Sequence, residues 1–141
     1  MIIAVDFDGT IVTHEYPEIG KEIPFAIDTL KRLQQKPDNL LILWTVREGK
    51  YLDEAVEYCR NKGLEFYAVN SNYPEEKQES NEPRKLKADL FIDDRNLGGL
   101  PDWGVIYRMI MTNKCFEPDN NEIQQENLLP PKKSFLKSIF G

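Results

Sequence analysis

Cysteine is scarce in this chain: Cys59 and Cys115 are the only two among 141 residues, and they lie far apart. They form neither a C-x-x-C pair nor a zinc-ligand spacing, and a buried thiol is the expected state of Cys59 on the apolar face of a predicted helix. Long apolar runs are missing too. Stretches such as Leu40 to Trp44 fall far below the ~20 residues that a membrane span requires. The opening Met1-Ile2-Ile3-Ala4-Val5 has no charged region or cleavage site around it, so the expectation is a cytoplasmic, reduced protein. Positive charge is in deficit. Eighteen basic residues against 24 acidic give a net charge of −6, which argues against a general nucleic-acid binder.

What is present is enough for one domain. Apolar residues make up 40% and aromatics 11%, sufficient for a core, while the length falls short of the ~250 residues of a TIM barrel. Strand-like and helix-like segments alternate, which favours an α/β fold with a parallel sheet. Ile2 to Val5, Leu40 to Trp44, Phe66 to Val69 and Leu90 to Ile92 read as strands. Pro24 is placed to open a helix to about Lys36, with Ala26, Ile27, Leu30 and Leu33 on one stripe. A second helix, about Tyr51 to Lys62, carries Leu52, Ala55, Val56 and Cys59 on one face, and Gly63 is placed to end it. Trp103, Ile106 and Ile110 have helical spacing, although Val105-Ile106-Tyr107 also suits a strand. The composition turns polar after Cys115, which suggests a core over 1–115 and an extension over 116–141. In that extension, 132–140 alternates lysines with apolar residues in a short amphipathic tail.

Chemistry gathers where the strands end. The first strand runs into Asp6-Phe7-Asp8-Gly9-Thr10, the second into Thr45, and the fourth into Asp93-Asp94. In a parallel sheet these ends share one edge, the edge at which open α/β sheets bind ligands. Carboxylates brought so close repel one another and raise one another's pKa. A divalent cation removes the conflict, and hard oxygen ligands suit Mg²⁺. An isolated Asp-x-Asp-Gly is common turn chemistry. Three strands that end in this way point instead to an active site.

Asp6-Phe7-Asp8-Gly9-Thr10-Ile11-Val12 resembles the first motif of the haloacid dehalogenase-like (HAD) superfamily of phosphotransferases. Leu41-Ile42-Leu43-Trp44-Thr45 is similar to its second motif, and Leu90-Phe91-Ile92-Asp93-Asp94 to its fourth. The resemblance implies Asp6 as the nucleophile that forms an aspartyl-phosphate, and Asp8 as general acid and base. It implies Mg²⁺ held by Asp6, the Asp8 carbonyl and Asp93, with Asp94 a further ligand or the holder of a bound water. Thr45 would hold phosphoryl oxygens. Lys85 best matches the phosphate-neutralising lysine, with Lys87 and Lys77 as alternatives. Outside the motifs, Arg47 is close enough to Thr45 to reach a substrate anion or to pair with a surface acid. His14, the only histidine, is expected to be a solvated loop residue.

The implied architecture is a three-layer α/β sandwich with a parallel Rossmann-like sheet, a HAD-like core without a cap domain. Neither the stretch from Asp6 to Thr45 nor that from Thr45 to Lys85 leaves room for a folded cap. The implied activity is Mg²⁺-dependent hydrolysis of a phosphomonoester of unspecified identity, with no nucleic acid or membrane partner and a second copy of the chain as a possible cover for the open site. A non-catalytic HAD-like binding protein is the alternative. A receiver-type signalling domain uses similar residues, but its paired acids come first in the chain rather than last.

Overall fold

The computed structural model describes residues 1–76 and 85–116. Lys77 and the amphipathic tail over 132–140 lie outside the described residues, as does the 116–141 extension beyond Phe116. The elements are β1 (Ile2–Val5), α1 (Ala26–Gln34), β2 (Leu40–Leu43), α2 (Gly49–Asn61), β3 (Ala68–Val69), β4 (Leu90–Ile92) and α3 (Trp103–Met111). The strands form one four-stranded sheet in the order β3-β2-β1-β4. Every pairing is parallel: Val5 lies opposite Leu43 on one side and Ile92 on the other, and Leu43 opposite Val69. The fold is α/β with a Rossmann-like parallel sheet, and β1 sits inside it, which explains its unbroken apolar run.

Side chains alternate across the sheet with period two. Ile3, Val5, Leu41, Leu43 and Ile92 face the main core, where they meet Leu30 and Leu33 of α1, Ala55 and Cys59 of α2, and Trp103 and Ile106 of α3. Ala4, Ile42 and Ala68 face the other way, with Leu86 packed on them. All three helices among the described residues therefore feed one core, and the third layer expected from sequence is not formed by them. The topology gives the reason. The steps β1 to β2 and β2 to β3 move the same way across the sheet, so right-handed crossovers leave α1 and α2 on one face. The return from β3 to β4 carries no helix among the described residues.

Element ends depart from the sequence reading for local reasons. Phe25 sits at a φ of 68°, so α1 starts after it rather than at Pro24. The α3 segment is the helix that the spacing of Trp103, Ile106 and Ile110 favours, and its start is capped by the Asp102 carboxylate, which accepts the Gly104 N–H at 2.8 Å. No helix among the described residues is long and apolar enough to cross a membrane.

Candidate functional site

The C-terminal edge of the sheet gathers the acidic residues. The Asp6 N–H donates to the Ile92 carbonyl at 3.0 Å, which carries the ladder one residue past β1 and sets Asp6 beside Asp93. A tight turn follows. The Phe7 carbonyl accepts the N–H groups of Thr10, Ile11 and Val12 at 3.2, 2.9 and 3.2 Å. The side chains of Phe7, Ile11 and Val12 are fully buried, so the turn is anchored in the core while its acids stay at the edge. Buried Trp103 of α3 clamps it from behind, its indole N–H donating to the Thr10 carbonyl at 3.1 Å.

Carboxylate oxygens of Asp6, Asp93 and Asp94 all lie within 4.8 Å of one another. Thr10 is wired into this group. Its hydroxyl lies 3.3 Å from Asp6 Oδ2 and 3.4 Å from Asp94 Oδ1, and it accepts the Asp94 N–H at 3.1 Å. A hydroxyl has a single proton, so Thr10 neutralises none of the accumulated charge. His14 Nε2 stands 3.6 Å from Asp94 Oδ2, so the histidine expected to be merely solvated borders the cluster.

This crowding shows in Asp6. Burial, and then the charges of Asp93 and Asp94, push its pKa from 3.8 to about 7, while the hydrogen bond from the Phe7 N–H pulls the other way. The folded value lies above the unfolded one, so the folded metal-free chain holds this proton more tightly. The stability that results is complete below about pH 4 and is lost as pH rises through about 7. In chelator, wild type should therefore lose thermal stability relative to Asp6→Asn across that window. Parallel pH profiles of the two melting temperatures would show that Asp6 is not perturbed.

The other residues singled out from sequence divide. Asp8 is not in the carboxylate cluster. Its Oδ2 and Oδ1 accept the Arg47 Nε–H and an Nη2–H, each at 2.7 Å. Arg47 is completely buried, so a surface ion pair does not describe it, and the acid it meets is Asp8. The physical reason lies in its neighbours, because backbone carbonyls and the Asp8 carboxylate satisfy the guanidinium inside the protein. Removing one partner of such a buried pair costs about 3–5 kcal/mol. Thr45 is at the right edge. Its hydroxyl accepts the Arg47 N–H at 3.2 Å, and its own N–H donates to Asn70 Oδ1 at 2.8 Å. Lys85 is exposed, with Nζ 5.5 Å from the centroid of the Phe91 ring, a ring belonging to the sheet face opposite the helices.

Sequence reasoning assigned no role to Thr10, Asn70 or Trp103. A hydroxyl residue inside the acidic turn and an asparagine just after β3 were available signals for the first two. The contact of Trp103 with Thr10 spans most of the described chain and leaves no local mark.

The class these features define is an α/β protein with an all-parallel sheet and a carboxylate cluster at the C-terminal ends of β1 and β4. No protein-family model matches the chain, and no curated protein does. Among solved structures it is similar to a conserved protein coded by a locus of Bacteroides thetaiotaomicron, with 68% identity over 82% of this chain and 93% of that one, and a TM-score of 0.76. The chain belongs to the same family as that conserved protein.

Proposed function

We propose that this protein is a Mg²⁺-dependent phosphomonoester hydrolase with Asp6 as its nucleophile, built on a HAD-like core without a cap. The observation that carries the reading is a carboxyl of raised pKa at the end of β1, within 4.8 Å of the carboxylates of Asp93 and Asp94. The donor set fits a hard divalent cation: it is all oxygen and strongly anionic. Asp6, Asp93 and Asp94 would hold the ion, with the Asp8 carbonyl added by the resemblance. Bound there, it supplies the positive charge that lets an anionic carboxylate approach an anionic phosphate.

The chain's own residues do the rest. Asp6 attacks phosphorus, an O–P bond forms to its carboxylate, and the ester oxygen leaves with the bonding pair. In its acid form Asp8 would give its proton to this oxygen, and as the resulting carboxylate it would take one back from the water that hydrolyses the aspartyl-phosphate, so its protons balance over the cycle. Each Asp8 oxygen keeps a lone-pair direction beyond the one used by Arg47, so its pairing leaves room for proton transfer. Thr45 accepts through its oxygen and can still donate its proton to a phosphoryl oxygen. The cation–π contact of Lys85 does not support it as the phosphate-neutralising lysine.

A second reading, a HAD-like binding protein without turnover, draws on the engagement of both Asp8 oxygens by Arg47. The two are separated by steady-state hydrolysis of an aryl phosphate. Turnover should be abolished by chelator and restored by Mg²⁺. Tight Mg²⁺ binding by calorimetry without hydrolysis across a panel of phosphate esters would favour the binding protein. A cytoplasmic location accords with either reading.

A further inference from the structure

Arg47 has no solvent exposure, and every N–H donor of its guanidinium is used. Nε–H donates to Asp8 Oδ2 at 2.7 Å, and the Nη2 pair donates to Asp8 Oδ1 at 2.7 Å and the Glu18 carbonyl at 2.8 Å. The Nη1 pair donates to the carbonyls of Pro17 at 3.0 Å and Tyr51 at 3.4 Å. The ring centroids of Phe7 and Tyr16 each lie 5.1 Å from its Cζ. One side chain thus ties together the acidic turn after β1, the loop at 16–18 and the first turn of α2.

We propose that Arg47 is a positioning residue, which holds the Asp8 carboxylate in one orientation and straps the 16–18 loop beside it. A saturated, buried guanidinium has nothing left with which to grip a substrate. What it does have is a planar fork, which fixes both oxygens of a carboxylate where a single contact would let the group rotate. The same guanidinium lies against the ring of Tyr16, which is 53% exposed and packed edge-on against Tyr51 with centroids 5.8 Å apart. A lysine cannot reproduce this, because its ammonium is a point charge without the rigid fork.

The test uses the full chain with Arg47→Lys and Asp8→Asn, read in two ways. The kinetic arm rests on the phosphatase reading; the hydrogen-exchange arm does not. With Mg²⁺ and an aryl phosphate, Arg47→Lys should lower kcat by about 10²-fold, the scale of a misplaced catalytic group, while KM changes less than about threefold. The backbone amides of Thr13 and Lys21, which hydrogen-bond to each other's residues across the base of the strapped loop at 2.8 and 2.9 Å, should exchange at least about tenfold faster in Arg47→Lys, and in Asp8→Asn, which breaks the pair from its other side, while those of β1 keep their protection. Wild-type kcat in Arg47→Lys, or a rise in KM alone, would overturn the proposal, the latter by making Arg47 an anion ligand. If wild type shows no turnover, the phosphatase reading fails and exchange decides: faster loop exchange in both variants upholds the strap, and unchanged exchange overturns it. Should Arg47→Lys fail to fold, Asp8→Asn gives the same loop measurement.

Discussion

Asp6→Asn should reduce phosphate-ester turnover by about 10³-fold or more, equivalent to about 4 kcal/mol of transition-state stabilisation at 1.36 kcal/mol per decade. The amide keeps the shape of the carboxyl and removes the charge that attacks phosphorus. The fold should survive. At neutral pH without metal the variant should melt no lower than wild type, because the substitution relieves repulsion from Asp93 and Asp94. Activity and melting temperature are thus expected to move independently, which separates chemical loss from unfolding. A freshly prepared variant whose intact mass excludes deamidation, and which still turns over at the wild-type rate, would place the nucleophile elsewhere.

Gly9→Ala should cost both stability and metal affinity, for a reason local to the turn. Gly9 has a φ of +83°, a left-handed conformation that costs a residue with a Cβ about 1–2 kcal/mol. There is also no room. The new methyl would lie 2.7 Å from the Asp94 carboxyl carbon and 2.7 Å from His14 Cδ2, so Asp94 must move. The two effects together should destabilise the chain by roughly 3 kcal/mol and weaken Mg²⁺ binding about 10–100-fold, the usual consequence of disturbing a ligand's setting. Gly98→Ala is the matched control. Its φ is +91° and nothing lies within 4 Å of the added carbon, so it carries the conformational cost alone. Denaturant unfolding and calorimetry with Mg²⁺ read both variants. Equal metal affinity in the two would mean that Asp94 is not held where a ligand must be.

Both variants act on a site whose parts differ in how openly they are written in the chain. The β1 motif is legible because an apolar run that stops at an acid marks a strand end, and parallel pairing of β1 with β4 brings Asp6 alongside Asp93. The stripe of Ala26, Ile27, Leu30 and Leu33 is legible because helical period alone sets which residues share a face. The α3 segment sits between. Its spacing favours a helix while Val105-Ile106-Tyr107 also suits a strand, and the Asp102 cap together with the docking of Trp103 under the acidic turn accords with the helix.

The sequence by itself determined the class of fold, the four strands to within a residue or two of their ends, and the arrival of Asp6, Thr45, Asp93 and Asp94 at a common edge. These depend on patterns a few residues long and on the general rule that parallel strands share a direction. Only the tertiary structure decided which partners Asp8 and Arg47 take. An arginine after a strand can meet water, a substrate or any acid with equal ease, and what singles out Asp8 is the fit of the guanidinium between Phe7, Tyr16 and the carbonyls of Pro17, Glu18 and Tyr51. Tertiary structure likewise set Lys85 over Phe91 and gathered the described helices on one face of the sheet. The reason is the same in each case: which groups meet in the interior depends on crossover direction and on mutual fit, and neither is encoded in the spacing of residues along the chain.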